Sequence, residues 1–112
     1  MNIKRGDVYY ATFDAAVGSE QNGERPVIII QNDTGNRWSP TVIVAAVSSR
    51  IKKTALPTHV EIDADFLVKD SIALLEQIRT IDKLRLGNFL GAVDNETMSK
   101  IDEAIKISMG VN

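Results

Sequence analysis

Arg25-Pro26-Val27-Ile28-Ile29-Ile30-Gln31 and Val42-Ile43-Val44-Ala45-Ala46-Val47-Ser48 decide the fold. Both runs are rich in β-branched side chains, which are stiff at χ1 and suit a pleated strand. Neither alternates between apolar and polar, so both strands are expected to be buried on both faces or nearly so. Working outward, Asp7–Phe13, His59–Ile62 and Ile72–Ile81 also read as strands. Gly87–Val93 is a weaker strand whose two glycines suggest bends or bulges. One long helix is expected after Asp94, which can cap it. Met98, Ile101, Ile105 and Met109 follow at spacings of three and four, and Gly110 can end it in a left-handed conformation. Asp82 can cap a single helical turn over Lys83–Leu86. Many short strands followed by a terminal helix predict a mostly β fold, a small barrel or half-barrel with a helix packed on it.

The chain has 112 residues, the size of one domain, and the expectation is a single domain over 1–112. It has no cysteine and one histidine, so disulfides, thiolate metal sites and any site needing two histidines are excluded. No metal and no cofactor are expected. No apolar run approaches the ~20 residues of a membrane span, and Met1-Asn2-Ile3-Lys4-Arg5-Gly6-Asp7 lacks the apolar stretch of a signal peptide. A cytoplasmic protein without membrane contact is expected. The net charge of -2 does not advertise nucleic-acid binding, but its distribution is uneven. Residues 1–60 have a balance of +2 and residues 61–112 a balance of -4. A polyanion would favour a surface built mainly from the first half.

Two polar loops stand out. Asp14–Glu24 has eleven residues and holds Gly18, Ser19, Glu20, Gln21, Asn22 and Gly23; Ser49–Pro57 carries Arg50, Lys52 and Lys53. Long polar loops on a small rigid barrel are where binding residues usually sit, although a merely solvated connection has the same composition. No nucleophile elbow, zinc-protease motif or phosphate loop is present. His59, at the entry of a strand, reads as structural or as a surface residue. Arg25 joins the glycine-containing loop to the buried strand, with its backbone restricted by Pro26, and its planar fork suits a phosphate. Ser48 and Ser49 end the next apolar strand, and Glu76 and Gln77 interrupt Ile72–Ile81. Each also has a plainer reading, as an outward-facing polar residue or an ion pair such as Arg25 with Glu20 or Glu24.

The order and spacing of several blocks resemble the MazF/PemK (EndoA-like) toxin endoribonucleases. These are Arg5-Gly6-Asp7-Val8-Tyr9, Gly18-Ser19-Glu20-Gln21, Gly23-Glu24-Arg25-Pro26-Val27, Gln31-Asn32-Asp33 and Ser39-Pro40-Thr41-Val42. Leu56-Pro57-Thr58-His59-Val60 and Leu75-Glu76-Gln77-Ile78-Arg79-Thr80-Ile81-Asp82-Lys83 complete the set. The resemblance implies an SH3-like small barrel (CcdB/PemK-like) with a C-terminal α-helix, forming a homodimer. It implies sequence-specific, metal-independent cleavage of single-stranded mRNA, and inhibition by a cognate MazE-type antitoxin. By position it makes Arg25 and Ser48 the catalytic pair. Ser48 is a departure, since the family usually has threonine there; the hydroxyl is kept and χ1 is less restricted. Ala15-Ala16-Val17, where many relatives have a proline, is another.

On this reading RNA is recognised by Ser19, Glu20, Gln21, Asn32, Arg50, Lys52, Lys53, Leu56, Glu76 and Gln77. Unpaired base edges would meet the polar groups, and phosphates the cations. Phe13 and Trp38 are candidates for base stacking or for the core. A U-A-C-A-U-like cut site is a further implication. Two other readings stand beside this one: a non-catalytic, CcdB-like gyrase inhibitor of the same fold, and a degenerate toxin that only binds its antitoxin.

Overall fold

The structure, a computed structural model, describes residues 2–13, 23–50 and 56–112. Six strands form one antiparallel sheet: β1 (Asp7–Phe13), β2 (Gly23–Ile29), β3 (Thr41–Ser48), β4 (His59–Ile62), β5 (Ser71–Asp82) and β6 (Leu86–Ala92). The sheet order is β4-β5-β3-β2-β1-β6. The two apolar runs therefore lie side by side in the middle. Val27, Ile28, Ile29, Val42, Val44 and Ala45 are fully buried, because both faces of these central strands are covered. β2 starts two residues earlier than its apolar pattern and stops at Ile29, so Gly23 and Glu24 pair with β1.

One face packs Val8, Ile28, Ile30, Ala45, Val47, Val60, Ile62, Ala73 and Leu75 against helix α2 (Asn95–Met109). Asp94 caps α2 by accepting the Thr97 N–H at 2.8 Å, and Gly110 ends it at φ 69°. The buried stripe of α2 is Ile101 and Ala104, with Met98 and Ile105 partly buried against the core. Met109, expected on that stripe, is exposed because the last turn runs past the sheet. The opposite face gathers Tyr9, Ala11, Phe13, Val27, Ile29, Val42, Val44, Ile81 and Leu86 in a second core, the inside of the half-barrel.

Helix α1 (Asp33–Trp38) is not legible in the apolar pattern. It is held by polar groups: the Asn36 amide donates to the Gln31 carbonyl at 2.9 Å, and the Gln31 amide donates to the Thr41 carbonyl at 3.0 Å. Gly6 has φ +94°, a value that penalises any Cβ, and links two strands. Its N–H donates to Ile29 at 2.8 Å and its carbonyl accepts from Val93 at 3.0 Å.

Gly91, opposite Val8 on β6, lies beneath the Phe66 ring, and a Cβ there would overlap the ring carbons. Gly91→Ala should therefore push Phe66 off the core and destabilise the fold by about 1–3 kcal/mol, the usual cost of overpacking. A urea or thermal melt checks this.

Candidate active site

Cross-strand partners share a face of the sheet. Val27 pairs with Ala46, Ala46 with Leu74, and Leu74 with His59, one row across four strands. The next row holds Ser48, Ile72 and Glu61. Counting outward by two residues along β2 and β3 from Val27 and Ala46 brings Arg25 across from Ser48, on the same face. On its other side Arg25 pairs with Ala11 of β1. By this count the two side chains singled out for catalysis fall on one face at one end of the half-barrel.

Ser48 is only 2% exposed, and its Oγ accepts the Arg50 N–H at 3.1 Å. That bond uses an acceptor lone pair and leaves the hydroxyl proton available to donate. It also limits the rotation that the missing methyl of threonine would otherwise limit. Arg25 is half-buried.

Glu76 and Gln77 occupy a bulge. Ala45 pairs with Ile78 and Ala46 with Leu74, so Leu75, Glu76 and Gln77 are extra residues on β5. Leu75 turns into the core, while Glu76 is exposed and reaches back to β4. Its Oε1 accepts the Thr58 hydroxyl at 2.9 Å, and its Oε2 lies 2.8 Å from Nε2 of His59, whose side chain is 5% exposed. Burial opposes ionisation of Glu76, but the bonds from His59, from backbone and from Thr58 outweigh it and hold the carboxyl below its ordinary value of 4.5. Of the two readings of His59, structural or surface, its burial favours the first, and it orients Glu76.

A depressed carboxyl pKa adds stability above the unfolded value, and this is lost as pH falls through the folded value. Glu76→Gln should thus melt earlier than wild type at neutral pH. The gap should narrow once the pH drops well below 4.5, because both proteins then carry a neutral side chain there. Paired melts at the two pH values measure it.

Two arginines absent from the expectations join this end. The Arg79 guanidinium lies 4.5 Å from the Phe13 ring centre, and Arg85 donates to the Thr12 carbonyl at 3.3 Å. Phe13 itself is core, 5% exposed. The only sequence signal for Arg79 was its place two residues after Gln77, on the same strand face.

Asn32 is not at this end: it lies beyond the far end of β2, and its Oδ1 accepts the Gly35 N–H at 2.8 Å as the cap of α1. Its acceptor is engaged with backbone, and its amide N–H groups are the part that could meet a ligand. Trp38 sits beside it at the far end, 73% exposed, with Arg37 stacked 4.8 Å from its ring centre. Arg50 and Leu56 are exposed. Ser19, Glu20, Gln21, Lys52 and Lys53 lie outside the described residues.

A cavity of about 540 Å³ adjoins the Ser48 row, lined in part by Ser49, Glu61, Asp63, Lys69, Asp70 and Ile72. Its three carboxylates against one lysine make it a poor seat for a phosphate and direct an anion toward the arginines instead. Among the described residues no three His, Cys, Asp or Glu side chains group to hold a metal ion, and no helix is long and apolar enough to cross a membrane.

Comparison with known proteins points one way. Residues 4–109 match the PemK-like, MazF-like toxins of type II toxin–antitoxin systems. The chain is 58% identical over 113 aligned positions to Endoribonuclease EndoA of Bacillus subtilis (strain 168), covering 99% of this chain and 97% of that protein. A mycobacterial endoribonuclease solved in complex with its cognate antitoxin is 27% identical, with a TM-score of 0.80 over 98% of this chain and 97% of its own. MazF from Deinococcus radiodurans shares the fold at a TM-score of 0.84, with 20% identity and 99% of both chains covered. The gyrase-inhibitor reading is not favoured by these likenesses.

Proposed function

The chain belongs to the PemK-like, MazF-like toxins of type II toxin–antitoxin systems, and from that premise we propose that it is an endoribonuclease cutting single-stranded mRNA at the Arg25–Ser48 end of the barrel. The observation that carries the site is the register of β2 on β3, which extends to set Arg25 across from Ser48 on one face.

The chemistry is transesterification. The ribose 2′-oxygen bonds to the adjacent phosphorus, the P–O5′ bond breaks, and the 5′-oxygen leaves with a proton. The products are a 2′,3′-cyclic phosphate and a 5′-hydroxyl. Negative charge builds on the non-bridging oxygens, and donors fixed in advance stabilise it without reorganising. Arg25 holds these oxygens through paired, charge-assisted N–H bonds. Its part is to clamp and neutralise, and the 2′-proton passes to another acceptor. The Ser48 hydroxyl donates to the same phosphate, and its bond from the Arg50 N–H fixes its direction.

Recognition belongs to the bulge of β5. Glu76, braced by Thr58 and His59, presents carboxylate lone pairs to amino groups on unpaired bases, and Gln77 beside it offers both donor and acceptor. Arg50 attracts the backbone, as do Lys52 and Lys53 by their position in the sequence. Ser19, Glu20, Gln21 and Leu56 complete the contacts the family pattern suggests. The protein works as a homodimer in the cytoplasm, silenced by a MazE-type antitoxin. The mycobacterial relative solved with its antitoxin supports that partner.

The test is a long, unstructured RNA incubated with pure protein in excess EDTA. Cleavage at a short recurring sequence, undiminished by the chelator and leaving cyclic phosphate ends, is expected. Intact RNA in the presence of folded protein would reject the assignment.

A further inference from the structure

We infer that Arg79 is a second phosphate-holding guanidinium for the RNA, flanking Arg25 across the Phe13 ring. The inference rests on the ribonuclease reading and adds a residue to it.

Three observations place it. Ala11 pairs with Arg25 and Phe13 with Gly23, so Arg25 and Phe13 are diagonal neighbours on one face. Diagonal side chains start about 7–8 Å apart, within reach of an arginine and an aromatic ring. The Arg79 guanidinium then lies 4.5 Å from the centre of that ring. In a flat sheet this could not happen. Arg79 pairs with Val44 on β3, and two strands separate β5 from β1. The sheet must curl to bring the guanidinium onto Phe13, and the bulge after Leu74 is where β5 bends.

The donors are the second part of the case. Stacking engages the flat face of a guanidinium and leaves its five N–H groups pointing outward in the plane. Among the described residues the Arg79 side chain makes no hydrogen bond or ion pair, and it is exposed. An arginine needed only for charge balance would be expected beside a carboxylate. This one is instead held on an aromatic platform with its donors uncommitted, beside the arginine assigned to the scissile phosphate.

Charge is the third part. The chain as a whole carries -2, and its second half is acidic. Yet Arg79 and Arg85, both from that half, are carried to the end where Arg25 sits. The backbone of a single strand passing Arg25 meets Arg79 with its neighbouring phosphate. A seal over Phe13 alone would need an apolar stem and no charge, and that alternative is testable.

The experiment compares wild type, Arg79→Met and Arg79→Lys. Methionine keeps an unbranched apolar stem on Phe13 and removes the charge; lysine keeps the charge and loses the fork. Melts first establish that each protein is folded. Binding is read against salt with an oligonucleotide carrying the cut site and a 2′-O-methyl group at the cleaved nucleotide, and turnover with the cleavable form. Arg79→Met should weaken binding about tenfold and flatten the slope of log affinity against log salt by about 0.7, the loss of one single-strand phosphate contact. KM should rise with kcat changed only a few-fold, and Arg79→Lys should fall between. A wild-type salt slope and KM in folded Arg79→Met would overturn the inference while leaving the ribonuclease intact. Failure of wild type to cleave RNA would overturn both.

Discussion

Arg25→Ala protein is expected to fold as wild type and to cleave RNA at least about 10²–10³-fold more slowly, with the loss in kcat. The expectation follows from where the charge develops. A guanidinium placed on the non-bridging oxygens gains most when those oxygens carry the extra charge of the phosphorane, so its removal raises the barrier more than it weakens binding. Arg25 is half-buried at the end of β2, and its neighbours Val27, Ile28 and Ile29 carry the packing. The variant should thus keep its melting temperature to within a few degrees. Arg25→Lys separates charge from geometry: a point charge cannot form the two parallel bonds of the fork, and partial activity is expected. Single-turnover cleavage of a labelled oligonucleotide, with circular dichroism as the fold control, measures both. Turnover within a few-fold of wild type in Arg25→Ala would remove Arg25 from the chemistry.

Ser48→Ala is expected to lose about 10²–10³ in rate, the common effect of deleting one preorganised donor at a developing oxyanion. The variant also orphans the Arg50 N–H, which donates to Ser48 Oγ at 3.1 Å, so the chain after β3 loses its local tether. Ser48→Thr divides these two roles. Threonine restores the hydroxyl and adds a methyl that restricts χ1. Activity equal to or above wild type is expected, provided the buried position admits the methyl. A threonine variant as slow as the alanine one would mean that the Ser48 hydroxyl does not reach the phosphate. Steady-state kinetics on the same oligonucleotide decides it.

The candidate site was legible in unequal parts. Arg25 and Ser48 each ended an apolar strand, and β2 and β3 are adjacent, so their register carried two residues past Val27 and Ala46 sets the two on one face. Glu76 and Gln77 were visible as polar breaks in Ile72–Ile81, but the three-residue bulge behind them was not, because it depends on how β5 meets β3. His59 was read as structural or as a surface residue; it is buried, and its partner lies 17 positions away, beyond any local pattern. The capping role of Asn32 was not legible. An asparagine before a polar six-residue helix offers no apolar stripe to announce the helix it caps. Arg79 was not singled out, since nothing nearby in sequence indicates Phe13.

By itself the chain's pattern determined the strands, the terminal helix, and the polar residues that close the central strands. Those features follow from short-range physics: side-chain branching, apolar periodicity, and caps acting within a few residues. Tertiary structure alone decided which strands are neighbours, where β5 swells, and which charges share an end of the barrel. Those outcomes depend on register and curl between segments far apart in the chain, and the free energy that selects them comes from burying both faces of β2 and β3 together.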